Sequence, residues 1–369
     1  MATRSRHPGR GKLAASIAVI LVISILAAIP VFLLSQTWSI SSAEDVYNSA
    51  GKLINITSAE KISDDENGIP VVDYGTKNGV YIGPQRNPLT IAARALAYYD
   101  NYLQSKSAQD KTFFLNCVNW LDQAKIDKGG YWLWAYTFDL PAFNVKAPWY
   151  SAMTQARIMV AFQRAYELTG DKHYLDAADQ ALKSLEVDIQ DGGVAVSGST
   201  GGKWFEEVVG GDLKSTPLVL NGHIFVLFDL DDFYSHTGSI EARTLFNEGV
   251  LELKGHISQY DTGHWTYYDR IGHLAYDYHY VHIDQMQRLF DITGDPLFKE
   301  YHDKWSAYFP FNPMWARKRF AAYLLDFVIV FCALLVIYFV YRAVRKHSRI
   351  SNRALNSNPS RGKIIKGNQ

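Results

Sequence analysis

The chain has 369 residues, room for one large domain or two modest ones, and its 37 basic residues balance its 37 acidic ones to a formal net charge of zero. Without a whole-molecule field to attract a polyanion, nucleic acid is not expected as a partner, and a charged ligand must be held by local groups. Of the two cysteines, Cys332 lies inside an apolar run long enough to span a membrane and Cys117 in the domain before it, so they cannot pair, no disulfide framework is available and the fold must rest on its apolar core.

Residues 1–12 form a basic tail, with Arg4, Arg6, Arg10 and Lys12, ahead of the apolar run Leu13–Leu34. A second such run covers residues 320–341, and each is about as long as the 20 residues that cross a bilayer core. Pro30 near the end of the first and the belt of Tyr323, Tyr338 and Tyr341 in the second suit a membrane helix and its interface. Arg342, Arg345, Lys346 and Arg349 open the basic tail 342–369. The flanking charges therefore predict spans at 13–35 and 320–341, both tails in the cytoplasm and the intervening domain outside. A cleaved signal peptide is the rival for the first run, with Ala27-Ala28 as a weak cleavage site.

Residues 36–84 read as a polar spacer followed by a small hairpin, in which VVDYG and GVYIG flank Thr76-Lys77-Asn78. Asn55-Ile56-Thr57 within the spacer fits an N-glycosylation acceptor. Residues 85–310 then carry long amphipathic helices. TIAARALAYYDNYL, TFFLNCVNWLDQA, MTQARIMVAFQRAYELTG, HYLDAADQALKSLE and IEARTLFNEGVLELKGHI all place apolar residues at three- and four-residue intervals. The order helix end, Thr-Gly, short turn, helix recurs in YELTGDKHYL, FYSHTGSIEA and FDITGDPLFK, too unevenly spaced for a regular solenoid. Paired antiparallel helices curling into an (α/α) toroid account for it. The fold class is mainly α, a toroid with a β-hairpin at its entrance and a transmembrane helix on each side.

Several blocks, taken in order, carry a family resemblance. APWYSAMTQARIMVAFQRAYELTGDKHYL, KWFEEV, PLVLNGHIF, YDTGHWTYYD and DYHYVHIDQMQRLFDITGDPLFKEYHDKW resemble the C-terminal catalytic domain of D-glucuronyl C5-epimerases over about residues 70–308. The resemblance implies a proton abstraction at C5 of a glucuronate residue in a polysaccharide and its return on the opposite face, giving L-iduronate, without a cofactor. The family's working tyrosines match Tyr268 and Tyr278, and its acid matches Glu207. Val208 stands where the family has a further tyrosine, whose role would fall to Tyr267 or another tyrosine. Arg270 sits one place earlier than the family's arginine, and before Pro88 there is space for a hairpin in place of the family's upstream β domains.

Such chemistry requires a base at the carbon, an acid on the other face and a group that relieves the carboxylate. Tyr268 and Tyr278 are the candidate base and acid, Arg270 the carboxylate clamp, and His279 and His282 hydrogen-bonding groups for the substrate. Making a phenolate at pH 7 costs roughly 4 kcal/mol unless a neighbour helps. His279, His282 and Asp277 fall short of a catalytic zinc set, so no metal is expected. Glu206 with Glu207 fits either a solvated edge or a cleft loop, and Asn221 either a helix cap or a substrate ligand. Trp149, Tyr150, Gln155 and Trp204 are candidate substrate-binding residues, with packing in the core as the alternative for the aromatics. The expected partners are a uronic-acid-containing glycan and the membrane, and a homodimer stays open. Two other readings remain: a toroidal polysaccharide lyase that shares the first proton abstraction, and a non-catalytic glycan-binding protein.

Overall fold

The computed structural model describes residues 19–24, 61–211, 216–275, 278–308, 327–328 and 331–345. The chain falls into two compact units, Ala43–Pro313 and the combined ends Met1–Ser42 with Met314–Gln369. The described parts of the end unit are helical, at 19–24, 327–328 and 331–345. Among the described residues no helix is long and apolar enough to cross a membrane. Most of the run at 13–34, and the first part of that at 320–341, lie outside the described residues, as does the glycosylation triplet.

In the larger unit the entrance is more elaborate than the expected hairpin. β1 (Lys61–Asp64), β2 (Pro70–Asp73) and β5 (Pro84–Gln85) form a three-stranded antiparallel sheet, and β3 (Thr76–Lys77) with β4 (Val80–Tyr81) makes a two-residue ribbon at its tip. The segment read as spacer thus supplies an edge strand. Arg86 ties the sheet together by donating to the carbonyls of Ile69 and Pro70 and pairing with Asp65.

Eight helices follow among the described residues: α1 (Pro88–Ser105), α2 (Ala108–Ala124), α3 (Ala152–Thr169), α4 (Lys172–Ser184), α5 (Leu220–Thr237), α6 (Ile240–His256), α7 (Tyr278–Thr293) and α8 (Pro296–Ser306). They pair as four hairpins, and the first helix of each packs against the first helix of the next, α1 on α3, α3 on α5 and α5 on α7. Two short ribbons, β6 (Ile126–Asp127) with β7 (Trp132–Leu133) and β8 (Ala195–Ser197) with β9 (Lys203–Phe205), fill the connections between hairpins.

The Thr-Gly repeat is the corner of each hairpin. Thr169, Thr237 and Thr293 each bond the carbonyl four residues back and accept the N–H two residues on. Gly170, Gly238 and Gly294 take positive φ, as a left-handed helix end requires. Asp171, Ser239 and Asp295 then cap the outgoing helix by accepting one of its free N–H groups. The first hairpin has the same corner in different residues: Ser105 replaces threonine, Lys106 adopts φ 56° in place of glycine, and Ser107 is the cap. Local capping, repeated four times, sets the hairpin architecture.

Four tryptophans, Trp134, Trp204, Trp265 and Trp305, are fully buried in or beside the core. All four corners lie at one end of the hairpins. The starts of α1, α3, α5 and α7 gather at the other, where the loops converge.

Candidate active site

Side-chain contacts and backbone hydrogen bonds link these four helix starts. Asn87, the cap of α1, donates to the Tyr74 hydroxyl at 2.6 Å, and Tyr74 packs on Phe138, which meets Trp149 just before α3. The N–H of Ala152 at the head of α3 donates to the carbonyl of Glu206, and that of Leu220 at the head of α5 to the carbonyl of Tyr268. The two loops that carry the candidate acid and tyrosine are therefore held by backbone donors that helix starts leave free. The Tyr268 ring meets that of Tyr278, the first residue of α7, edge to face at 5.1 Å.

Glu207 is the centre of this arrangement. Its Oε1 accepts the Tyr268 hydroxyl at 2.9 Å, and Asn221 Nδ2 lies 3.4 Å from Oε2. Burial pushes its carboxyl up to about 7, the Tyr268 bond pulling the other way and the charge of Asp269 adding to the rise. Gly222 makes the seat: a Cβ there would stand 2.2 Å from Oε2 of Glu207. Glu206 is buried and turned inward, accepting the N–H groups of Glu207, Val208 and Leu218, so it braces the loop. Burial moves its carboxyl up to about 8 against those three donors, with Glu207 as a like-charged neighbour. Asp269 likewise holds the turn after Tyr268, accepting from the N–H groups of Ile271, Gly272 and His273 and pairing with the His273 ring at 2.5 Å.

Other candidates are placed differently from expectation. Asn221 lies inside the first turn of α5, whose cap is Val219, so it faces Glu207 instead of capping the helix. Trp149 is 6% exposed and stacked on Tyr136 at 3.7 Å, with its indole N–H on the Phe138 carbonyl, which leaves no open face for a sugar. Trp204 is enclosed between His223 and Tyr260. The Gln155 amide is spent on the N–H and carbonyl of Trp134 and the carbonyl of Ser151. His279 and His282 are buried, each placing Nδ1 near the Thr266 hydroxyl, at 2.9 and 3.0 Å. Burial lowers His279 to about 4 and holds His282 well below the ordinary histidine value, so both are neutral and neither reaches a substrate as a charged group. Arg270 is exposed, its guanidinium 3.4 Å from His256 at the end of α6, and is no clamp in this arrangement. Tyr150 is half-buried, its ring below Lys128 at 5.6 Å and its backbone paired with Val209.

Val208 is buried at 2% exposure, so this side chain packs inward and a tyrosine there could not face the cleft in the same backbone. Tyr267 is bridged to Leu274 beside Tyr268, and neighbours on an extended segment point to opposite faces. It does not take the missing role. Among the described residues there is no cluster that could hold a metal ion, and Asp277 lies outside them. Sequence reasoning missed Gly222 and Thr266, whose roles are visible only as distances to residues far away in the chain.

The family described as the D-glucuronyl C5-epimerase C-terminus matches residues 126–307. An uncharacterized protein of Methanocaldococcus jannaschii is 31% identical over 256 residues, 64% of this chain and 82% of that one. The D-glucuronyl C5-epimerase of Caenorhabditis elegans is 29% identical over 231 residues, 56% of this chain but 36% of the worm protein, so the chain spans about a third of it. Among solved structures, the cellobiose 2-epimerase of Spirochaeta thermophila aligns with a TM-score of 0.43 at 15% identity, covering 60% of this chain and 59% of that one. The chain belongs to the D-glucuronyl C5-epimerase family, whose chemistry is the epimerisation of carbohydrates, an isomerase reaction.

Proposed function

We propose that the protein is a membrane-anchored uronyl C5-epimerase that inverts C5 of glucuronate residues in a glycan, within an (α/α) toroid. The Tyr268 hydroxyl, 2.9 Å from a carboxylate pushed up to about 7, is the observation that carries the reading. Moving the proton of an ordinary phenol onto a carboxylate of ordinary pKa costs about 7.5 kcal/mol, and onto one near 7 about 4 kcal/mol. Glu207 thereby lowers the cost of making Tyr268 a base without leaving a permanent phenolate. Tyr268 takes the C5 proton as its own passes to Glu207, Tyr278 returns a proton on the other face of the sugar, and the proton held by Glu207 restores the Tyr278 phenol by way of solvent before the next turnover. In the reverse direction the tyrosines exchange roles.

Anchoring is supported by the second apolar run: in the helix at 331–345 Val336, Ile337, Phe339, Val340 and Val344 are all exposed. With the basic flanks, this favours two spans, cytoplasmic tails and a domain acting outside.

The test is incubation of the full chain with a polymer of glucuronate and N-acetylglucosamine in deuterated water. Deuterium at C5 together with iduronate is expected. A product that stays protonated at C5 overturns the reading, and an unsaturated, ultraviolet-absorbing product replaces it with a lyase.

A further inference from the structure

A groove of about 160 Å³ lies on the outer face of the first hairpin, between the β1–β2 turn and α2, lined by Asn67, Ile69, Asn116, Asn119, Trp120 and Gln123. Its α2 wall is one stripe, since positions 116, 119, 120 and 123 are three and four residues apart. The stripe holds three amides and an indole but no charge. Asparagine is a poor helix former, so two of them in mid-helix are not what a merely solvated face favours.

The walls are fixed before any ligand arrives. Asn116 Nδ2 donates to the Asn67 carbonyl at 3.0 Å, and Gly68 lies so close to Phe113 that a Cβ would come within 2.4 Å of its ring. Asn119 Oδ1 accepts the Tyr174 hydroxyl at 3.0 Å, which fixes the amide and turns its two N–H donors away from that bond. Gln123 and Asn119 are exposed and Trp120 is half-buried. Neutral donors and acceptors beside an aromatic face suit the hydroxyls and C–H face of a pyranose. They offer no counter-charge to a carboxylate or sulfate.

The location suits a polymer. α2 returns antiparallel to α1 on the outer layer, and Asn119 and Asp122 touch Tyr174 and His173 in the first turn of α4, so the groove is separate from the candidate active site. We propose that this groove is an accessory subsite for an uncharged sugar residue of the glycan, remote from the residue whose C5 reacts; it rests on the glycan reading above.

Saturation-transfer NMR with N,N′-diacetylchitobiose and the full chain tests it, beside steady-state exchange on the long polymer and on its tetrasaccharide. The disaccharide is expected to bind with a Kd on the order of 1 mM, and Trp120→Ala to abolish the transfer. The exposed pair Asn119→Ala/Gln123→Ala, which carries the test if the tryptophan variant fails to fold, is expected to weaken it at least about threefold. Both should raise KM for the polymer about three- to tenfold, leaving kcat and the tetrasaccharide KM unchanged. Normal C5 exchange with unaltered binding and KM in the variants overturns the subsite and spares the epimerase. Saturation transfer that the variants lose, without C5 exchange on any substrate, retains the subsite and overturns the epimerase.

Discussion

A carboxyl poised near 7 makes Glu207 the residue whose ionisation the rate should follow. It must be ionised to receive the Tyr268 proton, so kcat/KM should fall as the pH drops through about 7, tenfold per unit below it. Glu207→Gln should lower exchange at least a hundredfold and remove that limb, as a pH series of C5 deuteration would reveal. Gly222→Ala makes a separate prediction: its methyl collides with the carboxylate, so exchange should drop more than tenfold while circular dichroism stays native. Loss of fold in place of loss of rate would count against the seat. Val208→Tyr should not improve activity, because the side chain would enter a packed site at a cost of about 1–3 kcal/mol. A gain in exchange would refute the inward placement. Glu207 was legible through its motif, whereas its pairing with Gly222, 15 positions on, arises only from folding. His279 and His282 were misjudged because two imidazoles at helical spacing look the same on a cleft and in a core; burial decides, and burial is tertiary.

At the scale of elements, the inner helices carry a charge pair that the chemistry does not use. Arg157 of α3 and Asp229 of α5 meet at 3.2 Å with both side chains almost wholly buried. Burial raises Asp229 to about 6, opposed by Arg157, and Arg288 of α7 is also near. Arg157→Met should strand the aspartate and destabilise the fold by about 3 kcal/mol, the low end for a broken buried pair because Arg288 remains. That corresponds to a fall of roughly 6–12 °C in Tm, with Arg157→Met/Asp229→Leu recovering most of it. An unchanged melting curve in the single variant would sink the argument. The helices themselves were readable because their apolar spacing is local, as were three of the four corners. The fourth was hidden since Ser-Lys-Ser makes the corner of Thr-Gly-Asp with none of its letters. The edge strand β1 escaped for a related reason: Lys61–Asp64 is polar and pairs with a strand that begins six residues after it ends.

The whole molecule raises the question of where it works. Two apolar runs with basic outer flanks predict that the chain stays in the membrane pellet after an alkaline wash, with a C-terminal tag cut by protease only in inside-out vesicles. Release by the wash would remove the anchor, and cleavage in right-side-out vesicles would invert the topology. The order of the hairpins also explains how distant blocks form one site: residues around 87, 151, 207, 221, 268 and 278 meet because every first helix starts at the same end. None of α1, α3, α5 and α7 has an acidic residue in its first turn, although α2 and α6 do. Each start therefore points its positive end toward the place where the loops converge, where the Glu206 and Glu207 carboxyls beside α5 offset part of that charge. Four aligned dipoles can attract a polyanionic substrate that the exposed Arg270 does not clamp. Such a field is diffuse and screened, so raising the salt should increase KM for a uronate polymer without slowing turnover at saturation.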